Sequence, residues 1–323
     1  MRRFNIVEPR SIENACKILA EDEDAKLISG GTALLILIKH GILLPKTLVN
    51  LKKAQGATEI TYDPASGLRI GGLVSIYDVE SAPAVRQHYP LLAKACHVVA
   101  NIRIRNMATI GGNLCQRPRC WYYRNNYPCF KHGGSVCYSA TGENDFHAIL
   151  EGGPSYIVHP SDIAPALVAL GATVKISTGG SERTVPIDKF FVSPKQDPTR
   201  ENILQSNEIL TEIEVPSAPA GSKAIYAKEM VREIWDFALC SVAAMVTTKD
   251  GVVEDARIVL GGVAPFPYRA IKAEAALRGK RLDETTAAGA GAAAVDGARP
   301  LAKNAYKVPL TQAMVARALL SLA

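Results

Sequence analysis

Apolar residues recur in short runs separated by polar turns, and the spacing within each run predicts a series of strands and helices. FNIVEP predicts a strand, and SIENACKILAED predicts a helix, with Ser11 as its N-cap and apolar residues at helical spacing. AKLISGGTALLILIKHG predicts a strand, a glycine turn and a second helix, and TLVNL predicts a parallel return strand. The chain therefore begins with a small βαβ unit of about 50 residues.

The same reading continues through the middle of the chain. LRIGGLVSIYDVES predicts a strand and a capped helix, and PLLAKACHVVANIRIRNMATIGGNL predicts a helix followed by a glycine turn. SDIAPALVALGATVKIS predicts a helix, a turn at Gly171 and a strand, while RTVPIDKFF and EILTEIEVP continue the mixture. This order of elements indicates an α+β fold.

The character of the chain changes near residue 217. Strand-like runs now follow one another, and a hairpin turn is predicted at Asp250–Gly251. The Ala/Gly-rich stretch that starts at residue 285 ends in a helix with apolar residues at helical spacing. We therefore expect two domains, residues 1–216 and 217–323.

Composition excludes several classes of protein. The 323 residues are 48% hydrophobic, 21% charged and 6% aromatic, and the net charge of +6 is scattered, so nucleic acid is not an expected partner. The longest apolar run, TALLILIKHGILL, is broken by Lys39, His40 and Gly41, so membrane insertion is not expected either. The N-terminal segment lacks the apolar region of a secretory signal, and we expect a cytoplasmic protein.

Two glycine-containing turns are candidate phosphate sites. SGGT, residues 29–32, stands between a predicted strand and helix, and ATIGGN, residues 108–113, is a second turn of the same kind. Such turns leave backbone N–H groups free at a helix N-terminus, where an anion binds well. Neither matches the GxGxxG pattern of dinucleotide folds, and each alone is also typical of an ordinary tight turn. Together the two turns could hold a diphosphate from two sides.

Four of the seven cysteines lie close together in the sequence. They are Cys115, Cys120, Cys129 and Cys137, whereas Cys16, Cys96 and Cys240 are scattered. An odd, uneven set does not indicate a disulfide framework and favours a reducing compartment with a metal-type role for the cluster of four. No CxxC pair is present, so from spacing alone an iron–sulfur cluster, a zinc site and inert thiols all stay open.

Several segments in order resemble the FAD-binding (medium) subunit of the molybdenum hydroxylases, the xanthine dehydrogenase family. They are LISGGTALL, RNMATIGGNL, HPSDIAPALVALGA, YAKEMVREIWDFALCSVA and NAYKVPL, and they cover essentially the entire chain. The resemblance implies an FAD-binding domain of the PCMH/VAO-like type in residues 1–216, with subdomains of about 1–55 and 56–216. It also implies a smaller C-terminal α+β domain in residues 217–323, like that of the CO dehydrogenase flavoprotein.

The resemblance implies a set of cofactor-binding residues. Residues 27–34 would wrap the FAD diphosphate, and Asp162 and Lys228 would add polar contacts. The full set is Leu27, Ile28, Ser29, Gly30, Gly31, Thr32, Ala33, Leu34, Ala100, Ile104, Thr109, Gly112, Asn113, Cys115, Asp162 and Lys228. Ala33 replaces the usual Asp or Asn, but its backbone N–H can still donate. Asp162 is also a candidate N-cap of the next helix, and Lys228 is otherwise a surface residue.

The cysteine loop, residues 115–158, is an insertion that most subunits of this family lack. The 4-hydroxybenzoyl-CoA reductase and bacterial aldehyde oxidoreductase branches have it and bind an extra [4Fe–4S] cluster there, and this chain resembles those branches most. The resemblance implies the ligands Cys120, Cys129 and Cys137, with Ser155 where the fourth cysteine should stand.

The serine leaves the fourth ligand open. Ser155 could ligate through its hydroxyl oxygen, or Cys115 could replace it, although Cys115 is expected to line the flavin pocket. A three-iron or an empty site is a further alternative. Zinc held with the help of His132 or His147 is another.

The implied function is electron transfer within a heteromeric oxidoreductase. Substrate would react at a molybdenum cofactor on a large subunit, and electrons would pass through [2Fe–2S] clusters on a small subunit to FAD on this chain. The extra cluster would then link FAD to an external acceptor or donor. No catalytic residue is expected here, and co-export with a signal-bearing partner would place the complex in the periplasm. The alternatives are a stand-alone flavin-dependent oxidase or dehydrogenase and a zinc-bearing assembly subunit.

Overall fold

The computed structural model describes residues 2–323, and its first sheet is parallel. The strands are β1 (Asn5–Val7), β2 (Ala25–Ile28) and β3 (Thr47–Asn50), in the order β1–β3–β2, and the connecting helices are α1 (Ile12–Glu21) and α2 (Leu34–Lys39). The Ser11 hydroxyl caps α1 by accepting a hydrogen bond from the Asn14 N–H at 3.1 Å. The predicted βαβ unit is confirmed.

The second sheet is antiparallel and has five strands. They are β4 (Ile60–Asp63), β5 (Gly67–Gly71), β6 (Thr173–Ser177), β7 (Glu182–Pro186) and β8 (Ile209–Val215), in the order β4–β5–β8–β6–β7. The long connection from β5 to β6 carries α3 (Ile76–Ser81), α4 (Pro83–His88), α5 (Pro90–His97), α6 (Ile102–Met107), α7 (Ile110–Leu114), α8 (Trp121–Arg124) and α9 (Ile163–Ala169). Between α7 and α9 the cysteine loop is largely irregular.

The segment predicted as a second glycine turn is helical, so that prediction was wrong in its local geometry. The Thr109 hydroxyl caps α7 by accepting from the Gly112 N–H at 3.2 Å. Gly111 lies against another backbone, since a Cβ there would sit 2.7 Å from the Gly72 carbonyl oxygen. Close packing of backbones, rather than turn formation, requires glycine at this position.

The third sheet is antiparallel and has four strands. They are β9 (Ser222–Glu229), β10 (Cys240–Lys249), β11 (Val252–Gly261) and β12 (Tyr268–Arg269), in the order β12–β11–β10–β9, followed by helices α10 (Ile271–Leu277), α11 (Glu284–Ala294) and α12 (Lys307–Leu320). The predicted hairpin is confirmed: Asp250 and Gly251 have φ values of 52° and 77° and join β10 to β11.

Strand β10 belongs to two hydrophobic cores at once. Ala243 and Met245 pack into the core that contains α5 and α9, whereas Val242, Ala244 and Val246 pack into the core formed with α10 to α12. Successive side chains of a strand point to opposite faces, so β10 is apolar on both. Within residues 2–323, no helix has both the length and the apolar composition needed to cross a membrane.

Candidate functional site

The first wall of the site is the segment between β2 and α2, residues 29–33. Gly31 has a φ of +70°, a conformation that favours glycine. Gly30 lies directly against the α6–α7 connection, because a Cβ there would sit 1.9 Å from the Met107 carbonyl oxygen. Within residues 2–323, the backbone N–H groups of residues 31–34 have no protein acceptor. These four donors at the start of α2 are available to a ligand.

The second wall is α7 with the residue before it, Thr109. The hydroxyl groups of Ser29 and Thr109 lie 2.9 Å apart and join the two walls across 80 residues of sequence. The side-chain oxygen of Asn113 accepts a hydrogen bond from the Ser161 hydroxyl at 2.5 Å, which links α7 to the start of α9. Three distant segments are thus fixed around one space.

These segments enclose a cavity of about 510 Å³, a size typical of sites for organic cofactors. Every residue of the predicted cofactor-binding set except Lys228 lines it: Leu27, Ile28, Ser29, Gly30, Gly31, Thr32, Ala33, Leu34, Ala100, Ile104, Thr109, Gly112, Asn113, Cys115 and Asp162. Ala100 has a φ of 43°, uncommon for a residue with a Cβ, at the bend between α5 and α6. We call this space the FAD cavity.

Other parts of the FAD cavity were missed in the sequence. Gly72, Leu204 and Leu210 reach it from the second sheet and the segment before β8, and Arg117 and Arg119 reach it from the cysteine loop. The sheet residues carry no local signal, because only the packing of the sheet against the first βαβ unit brings them here. For Arg117 and Arg119, the one sequence signal was that Arg119 directly precedes Cys120, a predicted cluster ligand.

Lys228 is buried, which corrects the alternative that placed it on the surface. Its ammonium group lies 2.8 Å from the Asp162 carboxylate and also donates to the carbonyl oxygens of Val98 and Asp236, at 3.1 and 2.8 Å. Burial raises the pKa of Asp162, and the neighbouring Lys228 opposes that rise. All three hydrogens of the ammonium group are therefore used within the protein.

The N-cap alternative for Asp162 was also wrong. Asp162 occupies the cap position of α9, but its side chain makes no cap hydrogen bond. The preceding residue, Ser161, does this instead, since its hydroxyl oxygen accepts from the Ala164 N–H at 3.0 Å. The Asp162 carboxylate is free to pair with Lys228, and Asp162 still lines the FAD cavity.

A second cavity of about 410 Å³ adjoins the first. The two share Arg119, Pro160, Asp162, Arg232, Asp236 and Phe237 as lining residues. Its other walls come from the cysteine loop, including Trp121 and Phe146, and from the third sheet. The guanidinium of Arg119 lies 5.0 Å from the centre of the Phe237 ring, at the junction of the two cavities.

The four predicted cluster ligands face one small enclosed space. Cys120, Cys129, Cys137 and Ser155 all line a cavity of about 10 Å³. Burial raises the pKa of the Cys120 thiol to about 11, and the Cys137 thiol lies 3.1 Å from the Ser139 hydroxyl. We call these four side chains the cysteine site. Cys115 lines the FAD cavity and not this space.

The arrangement of metal-type side chains bears on the zinc alternative and on the cysteine site alike. Within the described residues 2–323, no group of three or more His, Cys, Asp or Glu side chains is arranged to hold a metal ion. His132 stacks on the Tyr123 ring at 4.8 Å, and its Nε2 lies 3.0 Å from the Tyr123 carbonyl oxygen. All seven cysteines in this part of the chain are free thiols.

A buried carboxylate holds the cysteine loop against the rest of the chain. Glu201 forms ion pairs with Lys131 and Arg117, each with an N···O distance of 2.7 Å, and its side chain is only 4% exposed. Lys131 is equally buried and also donates to the Arg200 carbonyl oxygen at 3.1 Å. One carboxylate outside the loop therefore pairs with two cations inside it.

Comparison with known proteins identifies the class. Residues 2–218 match the model of the FAD binding domain in molybdopterin dehydrogenase, and residues 225–322 match the CO dehydrogenase flavoprotein C-terminal domain. The chain belongs to the FAD-binding medium subunits of the molybdenum hydroxylase family.

Individual relatives agree with this assignment. The chain is 36% identical over 301 residues to the aldehyde oxidoreductase FAD-binding subunit PaoB of Escherichia coli, covering 91% of this chain and 90% of that protein. It is 30% identical to the nicotine 6-hydroxylase medium subunit of Paenarthrobacter nicotinovorans, over 85% and 80% of the two chains. In structure it is similar to the carbon monoxide dehydrogenase of Hydrogenophaga pseudoflava, with a TM-score of 0.80 at 28% identity over 99% and 97% of the chains.

The comparisons confirm the predicted family and the predicted α+β fold class. They also confirm that the chain is of an FAD-binding oxidoreductase type. The assignment of individual residues to FAD or to an iron–sulfur cluster stays a prediction.

Proposed function

We propose that this chain is the FAD-binding electron-transfer subunit of a heteromeric molybdenum-containing oxidoreductase. The observation that carries the proposal is the FAD cavity, because it is built from the two glycine-containing segments of a chain that belongs to an FAD-binding family. When bound, FAD would accept or donate electrons singly or as a pair, which links one-electron clusters to two-electron chemistry. The chain supplies binding and orientation.

The free N–H groups of residues 31–34 are the proposed seat of the FAD diphosphate. They point to this role because a helix N-terminus carries partial positive charge and unpaired donors. Ala33 contributes a backbone N–H, so the loss of the family's usual side chain there does not remove the seat. Thr109, Gly112 and Asn113 lie opposite and hold the flavin side.

Lys228 acts on the cofactor through Asp162 in this proposal. Its ammonium group is already used by Asp162 and two carbonyl oxygens, and it does not line the FAD cavity. It pairs with the buried Asp162 carboxylate and opposes the rise in the Asp162 pKa that burial causes, and Asp162 itself lines the cavity. Asp162 is thus the direct contact, and Lys228 is the residue that orients it.

The proposed partners are a small subunit with [2Fe–2S] clusters and a large subunit with the molybdenum cofactor and the substrate site. Support comes from the relatives, several of which are named as medium subunits or chains of their enzymes. The external electron acceptor or donor would reach the flavin through the second cavity, since it shares walls with the first. We keep the cytoplasm as the proposed location.

We also propose that the cysteine site holds an iron–sulfur cluster, [4Fe–4S] in type. Three thiols and a hydroxyl of the cysteine loop face a common space, and thiolates are the preferred ligands of iron–sulfur clusters. The enclosed volume of about 10 Å³ is smaller than a cluster, so these side chains must separate to bind one. Ser155 is the proposed fourth ligand.

The domain division at residues 216/217 is proposed from the same structure. The second sheet ends at Val215 and the third begins at Ser222, and the two family models meet between residues 218 and 225. The subdomain boundary at about residue 55 lies between the first sheet and β4.

The test of FAD binding is the flavin content of the purified chain. Gly112→Val should remove most of the flavin, because the added Cβ meets only the hydroxyl oxygens of Thr109 and Ser29, at 2.9 and 3.2 Å, between the two walls. Gly180→Val is the matched control, since nothing lies within 4 Å of its added Cβ. Full flavin content in the Gly112 variant would contradict the assignment.

A second measurement tests the role as a subunit. The isolated wild-type chain, loaded with FAD, should not oxidise aldehydes or purines, because the molybdenum site belongs to a partner. Steady turnover of such a substrate by the isolated chain would overturn the proposal and favour the stand-alone oxidase. Absorbance spectra of anaerobic samples would show at the same time whether iron–sulfur bands accompany the flavin bands.

A further inference from the structure

Side chains at the start of helix α12 and just before it donate hydrogen bonds to backbone carbonyl oxygens in the later part of the cysteine loop. The Lys307 ammonium group is fully buried and donates to the carbonyl oxygens of Phe146, His147 and Gly262, at 3.1, 3.3 and 2.8 Å. Asn304, also fully buried, donates to the His147 carbonyl oxygen at 3.0 Å. Two side chains of the C-terminal part of the chain therefore fix the backbone on either side of one histidine.

That histidine contacts the cysteine site. The Nε2 atom of His147 lies 3.3 Å from Cys120 Sγ, and the residue is only 4% exposed. The other ring nitrogen, Nδ1, is buried and has no hydrogen-bond partner among residues 2–323. A buried N–H without an acceptor costs more than a bare ring nitrogen without a donor, so the proton belongs on Nε2. In that tautomer His147 donates to the sulfur.

We propose that His147 is a positioning residue of the cysteine site: its Nε2–H donates to the Cys120 sulfur, and Lys307 and Asn304 hold it there. A donor to a ligating sulfur stabilises the more negative, reduced state of an iron–sulfur cluster. The inference about the reduction potential of the cluster rests on the proposed function, because it requires the cluster to be present. The inference about the His147 tautomer, and about the contacts from Lys307 and Asn304 that hold this residue, does not depend on the cluster.

The tautomer is tested first, in the metal-free full-length chain labelled with ¹⁵N-histidine. The sequence has six histidines, and the signal lost in His147→Leu identifies the relevant one. We expect a neutral ring with the proton on Nε2. Lys307→Met should broaden or shift this signal, whereas Lys303→Met should leave it unchanged, because the Lys303 ammonium makes only an exposed ion pair with Glu143. A proton on Nδ1 would overturn the proposal.

The cluster potential is tested second, in chain reconstituted with iron and sulfide without air. His147→Leu should lower the midpoint potential of the cluster, measured by a redox titration that is followed by electron paramagnetic resonance. His147→Gln should lower the potential less, because its amide keeps an N–H donor. Flavin content should stay at the wild-type level in both variants, which separates this effect from misfolding. An unchanged potential in His147→Leu would overturn the inference while leaving the cluster intact.

The two proposals fail in different ways. If the wild-type chain takes up no iron, the proposed cluster is wrong, and the ¹⁵N spectra alone decide whether His147 donates to Cys120. If iron is bound and Lys307→Met loses it while Lys303→Met keeps it, the support of the cysteine site by α12 is upheld. Equal iron content in both lysine variants would contradict that support.

Discussion

The FAD cavity and the cysteine site are built by different means. Backbone contacts join the walls of the FAD cavity: Gly30 allows residues 29–33 to lie against the Met107 carbonyl oxygen, and Gly111 allows α7 to lie against Gly72. The free donors of residues 31–34 are also backbone groups, since they are N–H groups. The cysteine site sits in an irregular loop whose position depends on side chains from elsewhere, above all Glu201 and Lys307.

The difference bears on how each region tolerates substitution. A backbone N–H is present whatever the side chain. The Ala33 N–H can therefore still donate to a ligand, although the family's usual Asp or Asn side chain is missing there. A buried carboxylate that pairs with two cations has no such substitute, because its removal leaves both cations without a countercharge. We therefore expect single substitutions to affect the two regions separately, and the following four tests examine that expectation.

The largest effect is expected from Glu201→Gln. It leaves the buried Lys131 ammonium without a countercharge and should lower the free energy of unfolding by about 3–5 kcal/mol. Urea denaturation measures the loss, and limited proteolysis should locate it in the cysteine loop. Glu143→Gln is the control, since its pair with Lys303 is exposed. Flavin binding should survive in Glu201→Gln, and its complete loss would show that the two regions are not independent.

A pH titration is expected to give the next largest effect. Burial lowers the pKa of His159 to about 4 from the ordinary value of 6.5. As the pH falls from 6.5 towards 4, the unfolded chain takes up the proton first, so the folded state loses up to roughly 3 kcal/mol in this window and keeps full stability above it.

The matched variants for this titration are His159→Phe and His40→Gln. His159→Phe should reduce the decline in unfolding free energy between pH 6.5 and 4 without abolishing it. It removes one of two buried rings whose pKa burial lowers to about 4, and the other is His147. His40 is exposed, and its replacement should leave the decline as in the wild type. An identical slope in all three proteins would show that another group causes the acid sensitivity.

Gly30→Ala should act on the FAD cavity alone. The new methyl group would lie 1.9 Å from the Met107 carbonyl oxygen, so the two walls must separate, at a cost of about 1–3 kcal/mol. We expect reduced flavin content with iron content unchanged. Gly180→Ala has open space around its Cβ and should match the wild type in both measurements. Loss of iron without loss of flavin in Gly30→Ala would contradict the expectation that this substitution affects only the FAD cavity.

The smallest effect is expected from Ser29→Ala. It removes the 2.9 Å hydrogen bond to Thr109 but leaves the bond from the Gly112 N–H to Thr109 in place, so about 1 kcal/mol should be lost. The affinity for FAD, measured by fluorescence titration of the flavin-free chain, should fall about fivefold. Ser217→Ala, at an exposed site far from the cavity, serves as the control. A hundredfold loss would mean that Ser29 contacts the cofactor directly.

The sequence determined the elements whose cause is local. The Ser11 cap, the Asp250–Gly251 hairpin and the glycine segment before α2 each follow from the conformational preferences of a few adjacent residues. The ordered motifs also identified the family, which the comparisons confirm. The prediction of a turn at residues 108–113 failed, because two glycines indicate a flexible backbone without saying whether the chain uses it to turn or to pack closely.

Only the tertiary structure decided where the charges and the cysteines lie. Lys228 was indistinguishable from a surface lysine until packing placed it beside Asp162, 66 residues away in sequence. Glu201 and Lys307 gave no usable signal, and His147 was named only as a possible zinc ligand. A buried ion pair or a hydrogen bond to sulfur exists only once distant segments exclude water around it. Local preferences act over a few residues, whereas burial is set by the whole fold.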